Sequence, residues 1–375
     1  MFPPKHIAIV HEWFTSMRGG EKCVEALCEI FPQAKLFTLL HVPGSVSPTI
    51  ERMPITTSFI QHLPFAPSRY RHYLPLFPTA IQRFDLREFD LVISSHHCVA
   101  KGVRVHPEAL HICYCHTPMR YIWDHYNEYF SSGRAGIFTR MGMQSVVGYL
   151  RKWDVKTASN PKFFIANSEN VRQRIQRIYH RNADVIYPPV ETSRFHPSPT
   201  NDGFLLVVSA LVPYKRIDLA IEACKQTGRR LVIVGDGPEA ERLKTFAGQQ
   251  TEFLGWVSDE DIAKLYARCT AVLFPGEEDF GIVPLEAMAS GKPVIAYGKG
   301  GALETVTDAT GIFFQNQNVD SLVDAIKRME SMRFDPQLLH DRAAKFDREV
   351  YKKNMKAYIL RRWEEFTTQS PQTYM

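Results

Sequence analysis

The sequence predicts an α/β protein of two doubly wound, Rossmann-like halves whose parallel sheets face one another across a cleft. Three observations lead there. Short apolar runs alternate with helix-spaced segments, a proline-rich stretch near residue 190 interrupts them, and the same alternation then restarts. At 375 residues the chain exceeds the roughly 250–300 at which one core stops growing, so two domains are expected.

In the first half, the run from Lys5 to Val10 reads as a buried strand, Gly19-Gly20 as a turn, and Glu21 to Phe31 as a helix with Val24, Leu27 and Ile30 on one face. Phe89 to Ser94, Leu110 to Cys115 and Phe163 to Asn167 are further strands, the last followed by a Ser168-capped helix to Tyr179. Tyr187-Pro188-Pro189-Val190 and the prolines at 197 and 199 can continue neither a central strand nor a helix, so the hinge is placed there.

In the second half, strands are expected at Phe204 to Ser209, Leu231 to Val234, Phe253-Leu254, Ala271 to Phe274 and Pro293 to Tyr297. Helices are expected at Tyr214 to Cys224, up to Phe246, Ser258 to Cys269 and Ile282 to Ser290. The expected domains are 1–195, an acceptor half, and 196–345, a donor half. Residues 346–375 should form a charged amphipathic helix on a domain surface, a helix that could cross back to the first half.

Composition narrows the function classes. With 45% hydrophobic and 23% charged residues the chain fills two cores and is not a disordered protein. Its seven cysteines lack metal-ligand spacing, and Cys113 and Cys115 should point to opposite faces of a strand, so reduced, buried thiols are expected. The opening residues lack the order of a signal peptide and no apolar run reaches the roughly 20 residues of a membrane span, so a cytoplasmic protein is expected.

Residues 1–190 hold 22 Lys and Arg against 14 Asp and Glu, a net +8, whereas the remainder holds 23 against 26, a net −3. A basic first half suits a phosphate-bearing substrate or an anionic membrane surface, but equally a solvated basic face. No nucleic-acid-binding motif accompanies it. The segment from Pro64 to Phe84 mixes aromatic residues with Arg69, Arg71 and Arg83, a composition that fits an interfacial element or a groove for a lipid-diphosphate acceptor.

The chemistry concentrates in PGEEDFGIVPLEAMASGKPVIAYGKGG, Pro275 to Gly301. The loop leading into a helix at Ile282 offers free backbone N–H groups and the positive end of the helix dipole, which together favour a phosphate. Carboxylates there would repel that phosphate, so Glu278 and Glu286 should serve a hydroxyl-rich, uncharged partner, since a carboxylate accepts hydrogen bonds from two vicinal hydroxyls. Gly281 allows close backbone approach, and Gly298-Lys299-Gly300-Gly301 repeats the glycine turn after the next strand. Neither turn reads G-x-G-x-x-G with an acid at the ribose position, which argues against a dinucleotide-dependent dehydrogenase.

Glu278 and Glu286, within EDFGIVPLEAMASGKPVIA, resemble the signature of the retaining glycosyltransferases of family 4, which have the two-domain GT-B fold. The resemblance covers most of the chain: Gly19-Gly20-Glu21, Cys115-His116-Thr117-Pro118, Ala166-Asn167-Ser168, Ile186 to Val190, Val212 to Arg216, Gly235-Asp236-Gly237-Pro238 and Gly300 to Glu304. It implies that Glu286 holds the nucleotide ribose, Glu278 the hydroxyls of the donor sugar, and the backbone of Asp279, Phe280, Gly281 and Ile282 the diphosphate and sugar. Lys215 matches the family's diphosphate-binding lysine. The family's arginine a few residues earlier falls here on Ala210, and Arg216 is the candidate to replace it.

By the same resemblance, Gly19 and Gly20 approach the donor, and His116 matches the active-site histidine near the sugar, so that His116, Lys215 and Glu278 take the catalytic places. Arg120 and Tyr121 are the candidate acceptor contacts. The implied reaction is transfer of a hexose with retention by front-face substitution, without a cofactor or metal; no Asp-x-Asp motif stands in a suitable loop. The closest likeness is to bacterial mannosyltransferase-like enzymes of polysaccharide and O-antigen assembly. It implies GDP-mannose as donor, a glycan or polyprenyl-diphosphate-linked acceptor, and peripheral contact with the inner face of the membrane. UDP-glucose or another hexose donor is the runner-up, a sugar-nucleotide epimerase or hydrolase on the same fold is the rival enzyme, and the oligomeric state stays open.

Overall fold

The computed structural model describes residues 3–123 and 137–369. The chain divides into two compact units: residues up to Pro189 together with those from Tyr351 onward, and Val190–Val350.

The strands of unit 1 are β1 (Ile7–Phe14), β2 (Lys35–His41), β3 (Ile55–Thr57), β4 (Leu91–His96), β5 (Leu110–Cys115), β6 (Phe163–Ala166) and β7 (Asp184–Val185). Among the described residues they form one seven-stranded sheet in the order β3-β2-β1-β4-β5-β6-β7, with every adjacent pair parallel. Helices α1 (Gly19–Ile30), α2 (Ile137–Thr157) and α3 (Glu169–Tyr179) cover it, and Ser168 caps α3 as expected. The alternation along β1 shows how the layers are made. Ile7 and Ile9 join the core beneath α1, while Ala8 and Val10 join the opposite core with Phe77, Leu150 and Trp153.

Unit 2 repeats the plan with β8 (Phe204–Val208), β9 (Arg230–Val234), β10 (Thr251–Gly255), β11 (Ala271–Phe274), β12 (Val294–Tyr297) and β13 (Gly311–Phe314), in the order β10-β9-β8-β11-β12-β13. Its helices are α4 (Ile217–Thr227), α5 (Ala240–Phe246), α6 (Asp259–Arg268), α7 (Ile282–Ala289), α8 (Val319–Ser331) and α9 (Pro336–Ala344). In each sheet the strand order reverses once, between β1 and β4 and between β8 and β11. A doubly wound sheet opens a crevice at the carboxyl ends of its strands at such a point.

Four expectations change. β1 runs on through Phe14 and does not end at Val10, because its two polar members, His11 and Glu12, find partners inside the fold. β2, β3, β7, β13, α2, α8 and α9 were not anticipated. A continuous apolar run such as KLFTLLH reads equally well as helix or strand, and the three-residue β3 is too short for any period to show.

The division between units falls at Pro189, not at 195. Val190 pairs in parallel with Asp347, Thr192 donates to the Asp347 carboxylate, and Arg348 pairs with Glu191 at 2.6 Å, so residues 190–195 belong with the second unit. The last helix, α10 (Arg348–Gln369), is more than a surface element. Tyr351, Met355, Tyr358, Ile359 and Phe366 enter the core of unit 1 beside Ile7, Leu91 and Tyr114, and Lys352 and Arg362 reach Glu29 and Asp184 at 3.1 and 2.8 Å.

Because Ile359 is fully buried in that core, Ile359→Ala should destabilise unit 1 by about 2–4 kcal/mol. Urea unfolding followed by circular dichroism should show the loss. An unchanged midpoint would mean that α10 is not part of the core.

Candidate functional site

In unit 2 the carboxyl ends of β8 and β11 carry the residues singled out above. After β8 a 3₁₀ turn, Pro213–Lys215, presents Lys215, and after β11 the loop from Pro275 leads to α7. The two loops touch through Gly276, where a Cβ would lie only 2.9 Å from Cα of Lys215, so only a glycine lets them meet. The contact brings Lys215 and Glu278 into a direct, part-buried ion pair.

Gly281 caps α7 with φ +88° and no side-chain oxygen, which leaves the first-turn N–H groups without a capping acceptor from that residue. The side chains of Asp279 and Phe280 are buried, so this stretch can offer a ligand mainly its backbone, whereas Glu277 is exposed. Four residues into α7, Glu286 accepts a hydrogen bond of 3.0 Å from the hydroxyl of Tyr266, a fully buried residue of α6. Burial, then the Glu286 charge, pushes the Tyr266 phenol well above its ordinary pKa, so it stays a donor.

The second glycine turn has a different task from the one expected. Gly301 donates its N–H to the Glu278 carbonyl at 2.8 Å, and a Cβ at 301 would come within 2.2 Å of Phe280 Cα. The turn is therefore a backstop that fixes the Glu278–Phe280 loop. Arg216, in left-handed conformation at φ 52°, is engaged by Asp218 through Nε at 3.1 Å and a terminal nitrogen at 3.0 Å. The candidate replacement for the missing arginine is thus already paired.

In unit 1 the carboxyl ends of β1, β4 and β5 hold a cluster that sequence reading found only in part. Glu12 Oε1 accepts the backbone N–H groups of His97, Cys98, Val99 and Ala100 at 2.9–3.0 Å, and His97 Nδ1 lies 2.9 Å from Oε2. Burial pushes the Glu12 carboxyl up, but the charge of His97 and the hydrogen bonds of His96 and His97 outweigh it and hold the group well below its usual range. Burial opposes His97 as well; there the Glu12 charge wins and raises its pKa.

His116, the predicted residue, follows β5. Its Nε2 lies 2.8 Å from Ser95 Oγ, which lies 3.0 Å from His11 Nδ1. One hydroxyl proton serves two rings, so one histidine donates to Ser95 and the other accepts from it. Burial, then the neighbouring His97 and His11, hold the His116 imidazole well below its ordinary pKa, so it is neutral at pH 7. Gly20, on α1 beside Gly19, faces this ring: a Cβ there would stand 3.4 Å from His11 and 3.7 Å from His116.

His11, Glu12, Ser95, His97 and Tyr266 were missed. The signal available was HEW at the end of one strand and SSHH at the end of another, each polar exactly where an apolar strand meets its loop. Among the described residues, His11, Glu12 and His97 are also a group whose donor atoms lie close enough to ligate a cation, all within 4.8 Å of one another. The hydrogen bonds just given engage His11 Nδ1 and Glu12 Oε1, and His97 Nδ1 faces Glu12 Oε2, whereas the buried His11 Nε2 has no hydrogen-bond partner among the described residues.

Arg120 begins the short helix Arg120–Trp123, while the side chain of Tyr121 lies outside the described residues. A buried ion pair, Lys101 Nζ to Asp154 Oδ1 at 2.8 Å, supports that helix, because Asp154 also accepts Trp123 Nε1 at 2.8 Å and the Tyr179 hydroxyl at 2.9 Å.

The comparisons with known proteins follow the same division. The family model described as Glycosyltransferase Family 4 matches residues 17–194, and that described as Glycosyl transferases group 1 matches residues 190–352. The two matches together span residues 17–352, one on each half of the chain. A GDP-mannose-dependent alpha-(1-6)-phosphatidylinositol monomannoside mannosyltransferase of Mycobacterium tuberculosis is 32% identical over 195 residues, 43% of this chain and 51% of that protein. A GDP-mannose-dependent mannosyltransferase of Corynebacterium glutamicum acting on monoacylated alpha-(1-6)-phosphatidylinositol monomannoside is 37% identical over 167 residues, 36% of this chain and 44% of that one.

The chain thus spans about half the length of the curated relatives it matches. HepE of Anabaena, solved with UDP-glucose, superposes with a TM-score of 0.67 at 19% identity over 94% of this chain and 99% of that one. That likeness makes the architecture GT-B, two Rossmann-like domains with parallel sheets.

The buried histidines of unit 1 make it acid-sensitive. Burial pushes His111 down from 6.5 to about 3, and His96 and His116 are also lowered. Below pH 6.5 the unfolded chain takes up protons that the native state refuses, so stability falls by about 1 kcal/mol per pH unit for each such histidine. His97, with its raised pKa, acts oppositely: its contribution is complete below the unfolded value and fades as pH rises through the folded one. Denaturant midpoints should therefore be lower at pH 5 than at pH 7, and His111→Gln should flatten the dependence. A midpoint at pH 5 equal to that at pH 7 would refute the assignment.

Proposed function

We propose that this protein is a retaining glycosyltransferase that moves mannose from GDP-mannose to a hydroxyl of a glycan or polyprenyl-diphosphate-linked glycan, at the inner face of the membrane. The observation that carries the reading is the Lys215–Glu278 ion pair at the start of α7, with Glu286, oriented by Tyr266, one turn further on. A donor diphosphate competes with Glu278 for the Lys215 ammonium, and the freed carboxylate turns to the sugar hydroxyls. Glu286 accepts from the ribose.

As the sugar–phosphate bond breaks, negative charge grows on the nucleoside diphosphate. Lys215 and the N–H groups of the first turn of α7 stabilise it without a metal. Glu278 is committed to hydroxyls and serves as no nucleophile, so the acceptor hydroxyl attacks from the face of the leaving group and its proton passes to the departing diphosphate. His116, neutral at pH 7, gives the sugar a hydrogen bond and no charge. Gly19 and Gly20 leave room in front of that ring, and Arg120 and Tyr121 are assigned to the acceptor. Arg216, held by Asp218, must leave that partner before it can bind the diphosphate.

GDP-mannose is favoured because two relatives above 30% identity are GDP-mannose-dependent by name. HepE, with its bound UDP-glucose, keeps UDP-glucose as the second reading.

Calorimetric titration with GDP-mannose and UDP-glucose should show binding of the first in preference to the second; failure to bind either would end the transferase reading. Glu286→Ala should weaken donor binding ten-fold or more, the loss of a charge-assisted hydrogen bond worth about 1.5–3 kcal/mol. Tyr266→Phe should have a smaller effect of the same sign. His116→Ala should lower turnover more than it lowers donor affinity. Release of free nucleotide at the same rate with and without acceptor would point to the hydrolase.

A further inference from the structure

The segment between β3 and β4 supplies none of the residues assigned to the sites above. Residues 53–84 contain no Asp or Glu, yet they include Arg69, Arg71 and Arg83. The segment folds as a string of short turns of helix, Phe59–His62, Ala66–Arg69, Tyr70–Leu76 and Phe77–Ile81. Its inner side is core, with Ile60, Ala66, Tyr70, Phe77 and Ile81 buried. Its outer side carries Phe65, 71% exposed, and Leu76, 42% exposed, with exposed prolines beside both.

Phe65 holds a left-handed backbone at φ +55°, a conformation that bulky residues disfavour, and the Tyr73 hydroxyl donates to the adjacent Pro64 carbonyl at 2.6 Å. Arg69 lies 5.4 Å from the ring of the exposed Phe65 and so borders that tip, while Arg71, itself exposed, lies 4.9 Å from the ring of the buried Tyr70. A strained, outward phenylalanine bordered by Arg69, on a stretch that has no acid before Asp85, is the chemistry of a surface made for an anionic apolar boundary.

We propose that this face docks on an anionic lipid bilayer, with Phe65 and Leu76 entering the interface and Arg69 and Arg71 meeting the acidic headgroups. A leaflet with acidic lipids attracts each such cation, and it accommodates an irregular, proline-interrupted surface. Among the described residues no helix is long and apolar enough to cross a membrane, so the contact is peripheral. The docking face also backs onto the strand-end cluster: the Tyr70 ring packs, tilted, 5.0 Å from Trp13, and Trp13 lies 4.7 Å from His97. If the transferase reading holds, docking brings that cluster to the surface where a lipid-borne acceptor resides.

The test is co-sedimentation of the full chain with phosphatidylcholine vesicles, with and without phosphatidylglycerol, at low and high salt and with no donor present. The protein should pellet with the acidic vesicles at low salt and be released by high salt. Phe65→Ser should weaken binding about ten-fold, as withdrawal of one ring from the interface requires. Arg69→Glu with Arg71→Glu should abolish the preference for acidic lipid. Leu338→Ser, at an exposed leucine of α9 in unit 2, should bind as the wild type does.

All variants should keep the wild-type unfolding midpoint, since the changed side chains are exposed. The proposal is overturned if the wild type stays in the supernatant with acidic vesicles at low salt, if it binds neutral vesicles equally, or if Phe65→Ser and the double arginine variant bind unchanged. Because no donor is used, failure here and failure of donor binding are read separately.

Discussion

One buried carboxylate organises the first unit. A charge taken out of water is tolerated only when its lone pairs are met, and Glu12 is met by four consecutive backbone N–H groups and a histidine. That arrangement fixes the chain where it leaves β4, holds β1 in register beyond its apolar stretch, and sets His97 and Ser95 in place. Ser95 then joins His11 to His116. The neutral imidazole offered at the end of β5 is thus the last member of a chain that begins with an acid two strands away.

Unit 2 reaches a comparable result with fewer charges. Its rim is assembled by backbone contacts that only glycines permit, Gly276 against Lys215 and Gly301 against Phe280. The outcome is a lysine and a glutamate in contact, at a helix start that lacks a side-chain cap. Both partners can exchange one another for ligand groups of the same polarity, phosphate for carboxylate and hydroxyl for ammonium. The resting pair therefore keeps the site electrically balanced until a donor arrives.

Much of this was legible in the sequence, for physical reasons. The apolar runs placed β5, β11 and α7 within a residue or two, helped at β11 by Pro275 and at α7 by Gly281 and Ser290, which bound those elements. Lys215 and Glu278 were chosen from separate motifs and prove to be in contact. His116 was found because it stands at a strand end, whereas His11 and Glu12 were overlooked because polar residues inside a strand give no period. α10 was read as a surface helix because Tyr351, Met355 and Ile359 lie among lysines and arginines whose long stems flank the same buried stripe.

The sequence by itself determined the class of fold and the two-part organisation, and it singled out the loop at Pro275 to Gly301, since each of these rests on local spacing and on the chemistry of single residue types. Only the tertiary structure decided that Glu12 is a buried charge, that Tyr266 orients Glu286, that Arg216 is held by Asp218, and that the final helix completes the first core. Each of these depends on groups far apart in the chain meeting in a low-dielectric interior. There the cost of an unmet charge or hydrogen bond, not any pattern along the sequence, selects the partner.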